Sequence, residues 1–247
     1  VVLTVNNKPT REGARDVLVT FLTHFGVWLE CGGEPPALDL AGLAPDALRV
    51  LNETLGEGEV AAIVDAGHVV RIQETVFSGT WRQQHFGADG ALLHDYLLAA
   101  PIPPVVTEIA RDRATPTLRA LALPAGAMNV PALVNELQEA MDRSGPDTPA
   151  HVINLTLLPM SPDDHALLEQ LLPVGPVAIM SRGFGNCRVT STRVRNVWRV
   201  QYFNSMQTLI LNTLEVVEVP EVALAAVEDL ADSRERLGEL VDWMTEA

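Results

Sequence analysis

Cysteine is nearly absent from these 247 residues: Cys31 and Cys187 are too few for a disulfide scaffold, and a reducing cytoplasm is the expected setting. Basic residues are scarce too. Seventeen against 32 acidic ones leave a net charge of −15, which excludes a nucleic-acid or anionic-membrane surface spread over the whole molecule, since phosphate would be repelled. Long apolar runs are missing, and the longest, Val17 to Leu29, contains His24 and falls short of the roughly 20 residues needed to cross a bilayer. No signal-peptide pattern opens the chain. Metal-ligand spacing is missing as well, with no CxxC, no HxxxH and no paired Cys/His motif. Neither a P-loop, a G-x-S-x-G elbow nor a paired-carboxylate constellation occurs, and Gly183-x-Gly185 runs into a predicted strand, so it offers no helix N-terminus to a pyrophosphate. Catalytic residues, a bound metal and a cofactor are therefore not expected.

What is present is a globular composition that repeats itself. At an offset of 117 residues, the stretch Pro45 to Leu97 lies on Pro162 to Leu214. Pro45-Asp46 fall on Pro162-Asp163, Leu51 and Leu55 on Leu168 and Leu172, and Arg71 and Thr75 on Arg188 and Thr192. The densest match sets Trp81, Arg82, Gln84 and Phe86 on Trp198, Arg199, Gln201 and Phe203. A tandem duplication follows, divided as residues 1–114 and 115–247.

Each half opens with an amphipathic helix, Arg11 to Trp28 or Val130 to Arg143, in which apolar residues recur at helical spacing. A short strand comes next, Ala37 to Leu40 or His151 to Leu155, then a helix starting after the Pro-Asp pair. Three strands close the unit, in the second half Val177 to Met180, Arg188 to Phe203 and Thr208 to Val219. Helices followed by adjacent strands predict an α+β fold, two repeats with helices packed on a mainly antiparallel sheet. Asp112 to Asn129, rich in Pro, Ala and Gly, reads as a linker, in which Leu118 to Leu123 is able to pair as a strand. From Pro220 a long helix through Met244 ends the second repeat.

Contact residues are suggested by charge. No acidic residue occurs from Gln170 to Leu214, yet Arg182, Arg188, Arg193, Arg195 and Arg199 all lie there. Read as one strand, the stretch places Arg193, Arg195 and Arg199 on one face and Val194, Trp198 and Val200 on the other. Two readings stand: a docking surface for an acidic or carboxylate-bearing partner, or pairing with the ten acidic residues between Glu215 and Glu246. The duplicated tryptophans read as core anchors, leaving Arg82 and Arg199 as contact candidates together with Asn204 in the last turn. Cys187, next to Arg188, is either a small side chain at a strand start or a thiol with a redox or cluster-contacting role. His85 and His94 are placed to meet across a hairpin.

The runs Gly183 to Thr192, Val197 to Ser205, Leu209 to Val216, Val219 to Val222 and Glu228-Asp229 closely resemble the HupH/HyaF family of hydrogenase expression proteins, also called HoxQ. Gly56 to Val60 and Glu74 to Arg82 match the same family less densely. Family members carry an extra N-terminal stretch, and because this chain opens at Val1 without methionine, further residues upstream are expected. The resemblance implies a cytoplasmic, non-enzymatic accessory protein for making NiFe uptake hydrogenases in the presence of oxygen. It further implies a chaperone for the iron–sulfur small-subunit precursor, acting beside a thioredoxin-like HyaE/HupG-type protein before twin-arginine export. A cationic signal peptide suits an acidic surface, and Glu228, Asp229 and Asp232 of the last helix are the residues expected to steer it. The rival expectations are a Cys187-dependent redox or cluster-handling enzyme and a chaperone of the large subunit. Binding to nucleic acid or membrane is not expected.

Overall fold

A computed structural model describes residues 2–4, 10–145, 148–183 and 185–246. Phe184, the middle residue of Gly183-x-Gly185, lies outside the described residues. The chain forms two compact units, one of residues 1–63, 67–104 and 224–247 and one of 64–66 and 105–223.

The first unit contains β1 (Val2–Thr4), α1 (Thr10–Cys31), β2 (Ala37–Asp39), α2 (Pro45–Leu55), β3 (Val60–Asp65, whose last two residues group with the second unit), β4 (Val69–Glu74), β5 (Thr80–Phe86) and β6 (Leu92–Ala99). Its strand order is β1-β2-β6-β5-β4-β3, with β1 parallel to β2 and the hairpin pairs β4–β5 and β5–β6 antiparallel. The second unit contains α3 (Pro104–Asp112, entered from the first), α4 (Val130–Arg143), β7 (His151–Asn154), α5 (Pro162–Leu171), β8 (Val174–Ser181), β9 (Asn186–Thr192), β10 (Val197–Phe203) and β11 (Leu209–Val216). Here the order is β8-β9-β10-β11-β7, with each neighbouring pair antiparallel. The α+β repeat architecture read from the sequence is therefore the observed one.

Helices cover one face of each sheet. Leu51 and Leu55 of α2 and Val17, Phe21 and Phe25 of α1 bury against Leu38 and Leu97. In the second unit Leu133 and Leu137 of α4 and Leu167, Leu168 and Leu171 of α5 bury with Ile153, Val197, Leu214 and Val216. These are the i, i+3, i+4 and alternating positions that helix and strand geometry place on one side.

The duplication extends to single hydrogen bonds. Trp81 Nε1 donates to the Ala100 carbonyl at 2.8 Å, and Trp198 Nε1 donates to the corresponding Val217 carbonyl at 3.2 Å. Thr75 and Thr192 accept from the N–H two residues on, at Phe77 and Val194. Each threonine's carbonyl also presses on an equivalent glycine: an added Cβ would lie 2.2 Å from Thr75 O at Gly58 and 2.6 Å from Thr192 O at Gly175. Both copies shift register at the same place, between His85 and Phe86 and between Tyr202 and Phe203. Left-handed backbone recurs too, at Gly79 and Gly90 in the first unit, and at Asn196 and Gln207 (φ 60° each) in the second.

Three expectations are corrected. Arg188 to Phe203 is not one strand, because β9 ends at Thr192 and the chain turns at 193–196 before β10. The linker carries no strand at Leu118 to Leu123; its one pairing is a bridge from Thr115 to Val194, while α3 precedes it. The last helix is not part of the second unit. After a 3-10 turn at Glu221–Ala223, α6 (Val227–Glu246) buries Leu230, Leu237, Val241 and Met244 in the same apolar cluster as α1, which outweighs chain order. The division at residue 114 therefore cuts the chain where the packing does not.

One buried acid ties α4 to α5. Asp164 has no solvent exposure and accepts from the N–H groups of Met128, Asn129 and Val130, while its other oxygen closes a capping box with Ser161. Burial pushes its carboxyl up, and the Ser161, Val130 and Asn129 hydrogen bonds outweigh that, holding it well below the usual carboxylate range. A depressed carboxylate contributes stability in full above the unfolded-state value of about 3.9 and loses it as pH falls through the folded value. Asp164→Asn should therefore melt below wild type at neutral pH, with the difference shrinking as circular-dichroism melts are repeated toward pH 3.

Candidate functional site

Each sequence-derived contact residue now has a place. Arg82, on β5, is engaged within the first unit: its Nε and Nη2 hold the two oxygens of Asp95, and Nη1 holds Asn52 Oδ1. With side chains 12% and 5% exposed, this fork-to-fork pair is structural and not a free contact. Arg199, its counterpart on β10, is half-buried and makes a single side-chain bond among the described residues, Nε to Asn212 Oδ1 at 3.2 Å. Position 95 of the first copy is position 212 of the second, so aspartate has become asparagine.

Arg193 and Arg195 are exposed on the β9–β10 turn and do not share a strand face with Arg199. Arg193 Nε reaches the Val174 carbonyl at 3.3 Å. Arg195 borders a cleft of about 240 Å³ that Arg111, Ser144, Asn196, Trp198 and Glu218 also line. Among the described residues, none of Arg182, Arg188, Arg193, Arg195 and Arg199 forms an ion pair. The pairing reading of these arginines with the acids of 215–246 therefore fails.

Asn204 is a turn-former: its Oδ1 accepts from Met206 N at 3.0 Å and Thr208 N at 2.9 Å. Beyond it the hairpin tip leaves Met206, Leu209 and Ile210 exposed. Glu228 and Asp229 occupy the first turn of α6, where a helix N-terminus favours carboxylates, and both are exposed. Asp232 pairs with Arg236 one turn on, at 3.5 Å.

Cys187 is fully buried on β9, opposite Tyr202. Burial pushes its thiol up to about 11 despite the Tyr202 hydrogen bond, and burial pushes the Tyr202 hydroxyl up to about 12. The fraction of thiolate at neutral pH is negligible, so the redox or cluster-contact role is corrected to that of a small core side chain.

His85 does meet His94 as its register partner, and His68 and Tyr96 join them. His68 Nε2 lies 2.8 Å from His85 Nδ1, and Gln83 Nε2 lies 2.8 Å from His85 Nε2. Burial, then the neighbouring His68 and His94, hold the His85 pKa below its ordinary value. Among the described residues, no group of three or more His, Cys, Asp or Glu is arranged to hold a metal ion. No helix among them is long and apolar enough to cross a membrane.

The family model "HupH hydrogenase expression protein, C-terminal conserved region" matches the chain twice, over residues 13–121 and 127–244, as the duplication requires. The chain is 44% identical over 210 residues to hydrogenase expression/formation protein HoxQ of Cupriavidus necator, covering 85% of this chain and 74% of that one. It is 43% identical over 204 residues to hydrogenase expression/formation protein HupH of Rhizobium leguminosarum bv. viciae, covering 82% and 72%. Hydrogenase-1 operon protein HyaF of Escherichia coli K12 is 36% identical over 218 residues, covering 87% and 75%.

Two outcomes check these placements. Arg82→Gln should lower stability by about 3 kcal/mol in urea melts, because it strands buried Asp95, while Arg199→Gln should cost under about 1 kcal/mol. With Ellman's reagent the native protein should yield one fast thiol, the exposed Cys31, and the second only after denaturation.

Proposed function

Because the chain belongs to the HupH family of hydrogenase expression proteins, we propose that it is an accessory chaperone in hydrogenase maturation whose client is the iron–sulfur small-subunit precursor. The observation that carries this reading is the exposed Arg193–Arg195 turn: two cations that form no ion pair among the described residues, in a chain of net charge −15, beside an open cleft. Such a surface suits recognition of a carboxylate-bearing protein segment. The exposed apolar tip of Met206, Leu209 and Ile210 suits an immature partner whose own apolar surface is still uncovered. On the first unit, Glu228, Asp229 and Asp232 give α6 an acidic start that attracts a cationic signal peptide. A thioredoxin-like accessory protein of the HyaE/HupG type acts beside it, in the cytoplasm. The buried, protonated Cys187 disfavours a thiol-based enzyme.

The test is native mass spectrometry of the tagged protein purified from cells expressing the hydrogenase operon. Recovery of the small-subunit precursor with its signal peptide supports the proposal, and recovery of the large subunit in its place overturns the choice of client. Arg193→Glu combined with Arg195→Glu should weaken client binding about tenfold with an unchanged melting curve, since both side chains face solvent. Binding indifferent to that double reversal removes the turn from the interface.

A further inference from the structure

The two units carry the same polar row on the helix-facing side of their sheets, and only one row is complete. In the first unit Arg71, Gln84 and Asp95 lie side by side across β4, β5 and β6. The Arg71 guanidinium stacks 4.8 Å from the Phe86 ring, Gln84 Nε2 donates to Asp95 Oδ2 at 3.4 Å, and Arg82 clamps both oxygens of Asp95. These groups build a carboxylate site that is filled from within.

In the second unit Arg188, Gln201 and Asn212 lie side by side across β9, β10 and β11. The Arg188 guanidinium stacks 5.5 Å from Phe203, and Arg199 takes the place of Arg82. All the donors are thus retained, and both acceptors have changed: the carboxylate of Asp95 is replaced by the neutral amide of Asn212, and the amide of Asn52 by the carboxylate of Glu169. That amide satisfies only Arg199 Nε, so the terminal nitrogens of the guanidinium have no acceptor among the described residues. Burial differs at the acceptor: Asp95 is buried and Asn212 half-buried, while Arg82 and Arg199, and Gln84 and Gln201, are half-buried and Arg71 and Arg188 exposed in both units. The remaining counterpart, Asn52 of α2, corresponds to Glu169 of α5, which is exposed and forms no ion pair with Arg199.

From this comparison we infer that Arg199, with Gln201 and Arg188, receives a carboxylate borne by another polypeptide, an Asp or Glu side chain seated where Asp95 sits in the first unit. A planar fork, an amide donor and a second cation select a carboxylate, and neither a residue from 170 to 214, where none is acidic, nor Glu169, which forms no ion pair with Arg199, fills the site. The inference deepens the binding role proposed above by naming the ligand chemistry. Its test needs no hydrogenase component, so its failure leaves the choice of client untouched.

The probe is N-acetylglutamic acid amide, with N-acetylglutamine amide as control, titrated into the 15N-arginine-labelled full chain while the Arg Nε–Hε resonances are followed. The Arg199 signal, assigned by its loss in Arg199→Lys, should shift saturably with the glutamate probe and not with the glutamine one. Asn212→Asp should rebuild the internal pair, weakening the probe about tenfold or more without lowering the melting temperature, a pattern that damage to the fold would not give. An unshifted Arg199 signal overturns the inference, as does undiminished binding in Asn212→Asp. So does a response that appears only in Glu169→Gln, which would show Glu169 filling the site. Tighter binding of inorganic phosphate than of the glutamate probe also overturns it, reducing the site to a general anion contact.

Discussion

A buried indole fixes each repeat. Trp81 and Trp198 sit near the start of the central strand of their hairpins, are almost wholly enclosed, and reach the carbonyl that follows the next strand. A tryptophan buries a large apolar area only if its single N–H finds an acceptor. Meeting that condition sets where β5 and β10 stop sliding against their neighbours. Register, once set, decides what the alternate positions do: Arg82 and Arg199, one residue along, must face the helices, and the bulges before Phe86 and Phe203 fall at matching places.

That constraint explains why much of the fold could be read from the chain. The Trp-Arg-x-Gln-x-Phe run survives in both copies because each of its alternate residues has a fixed neighbour, and helical spacing in Val130 to Arg143 follows from a face that buries Leu133 and Leu137. The break inside Arg188 to Phe203 was hidden for a local reason. Its left-handed turn residue is Asn196, whereas the first copy signals the same turn with Gly79. Helix α3 was missed because it is only nine residues long and buries a single side chain, Val106. The position of α6 was illegible in principle, since an amphipathic helix declares that it packs and not on what.

The site was legible in type and not in detail. Charge asymmetry alone picked out the arginines, but a sequence cannot say which of two equivalent arginines is already satisfied. Laying Asp95 on Asn212 is the signal that separates them, and its meaning appears only when Arg82 is seen holding the aspartate. Duplication has here served as a control experiment: one copy shows the filled arrangement, and the other departs from it at the acceptor. Cys187 is the converse case, a residue whose chemistry looked available beside Arg188 until its lack of exposure removed it.

The last helix joins the beginning of the chain to its end. Leu230, Leu237, Val241 and Met244 complete the apolar cluster that Val17, Phe21 and Phe25 begin about two hundred residues earlier. A ribosome delivers the chain from the N-terminus at roughly 5–20 residues per second, so the exposed flank of α1 waits on the order of ten seconds or more for its cover. During that interval the first unit has all of its strands in hand but not α6, while the second is still being made up to its last strand at Val216. The protein that would guard an unfinished partner therefore passes through a stage of its own synthesis in which an apolar helix face is in need of guarding.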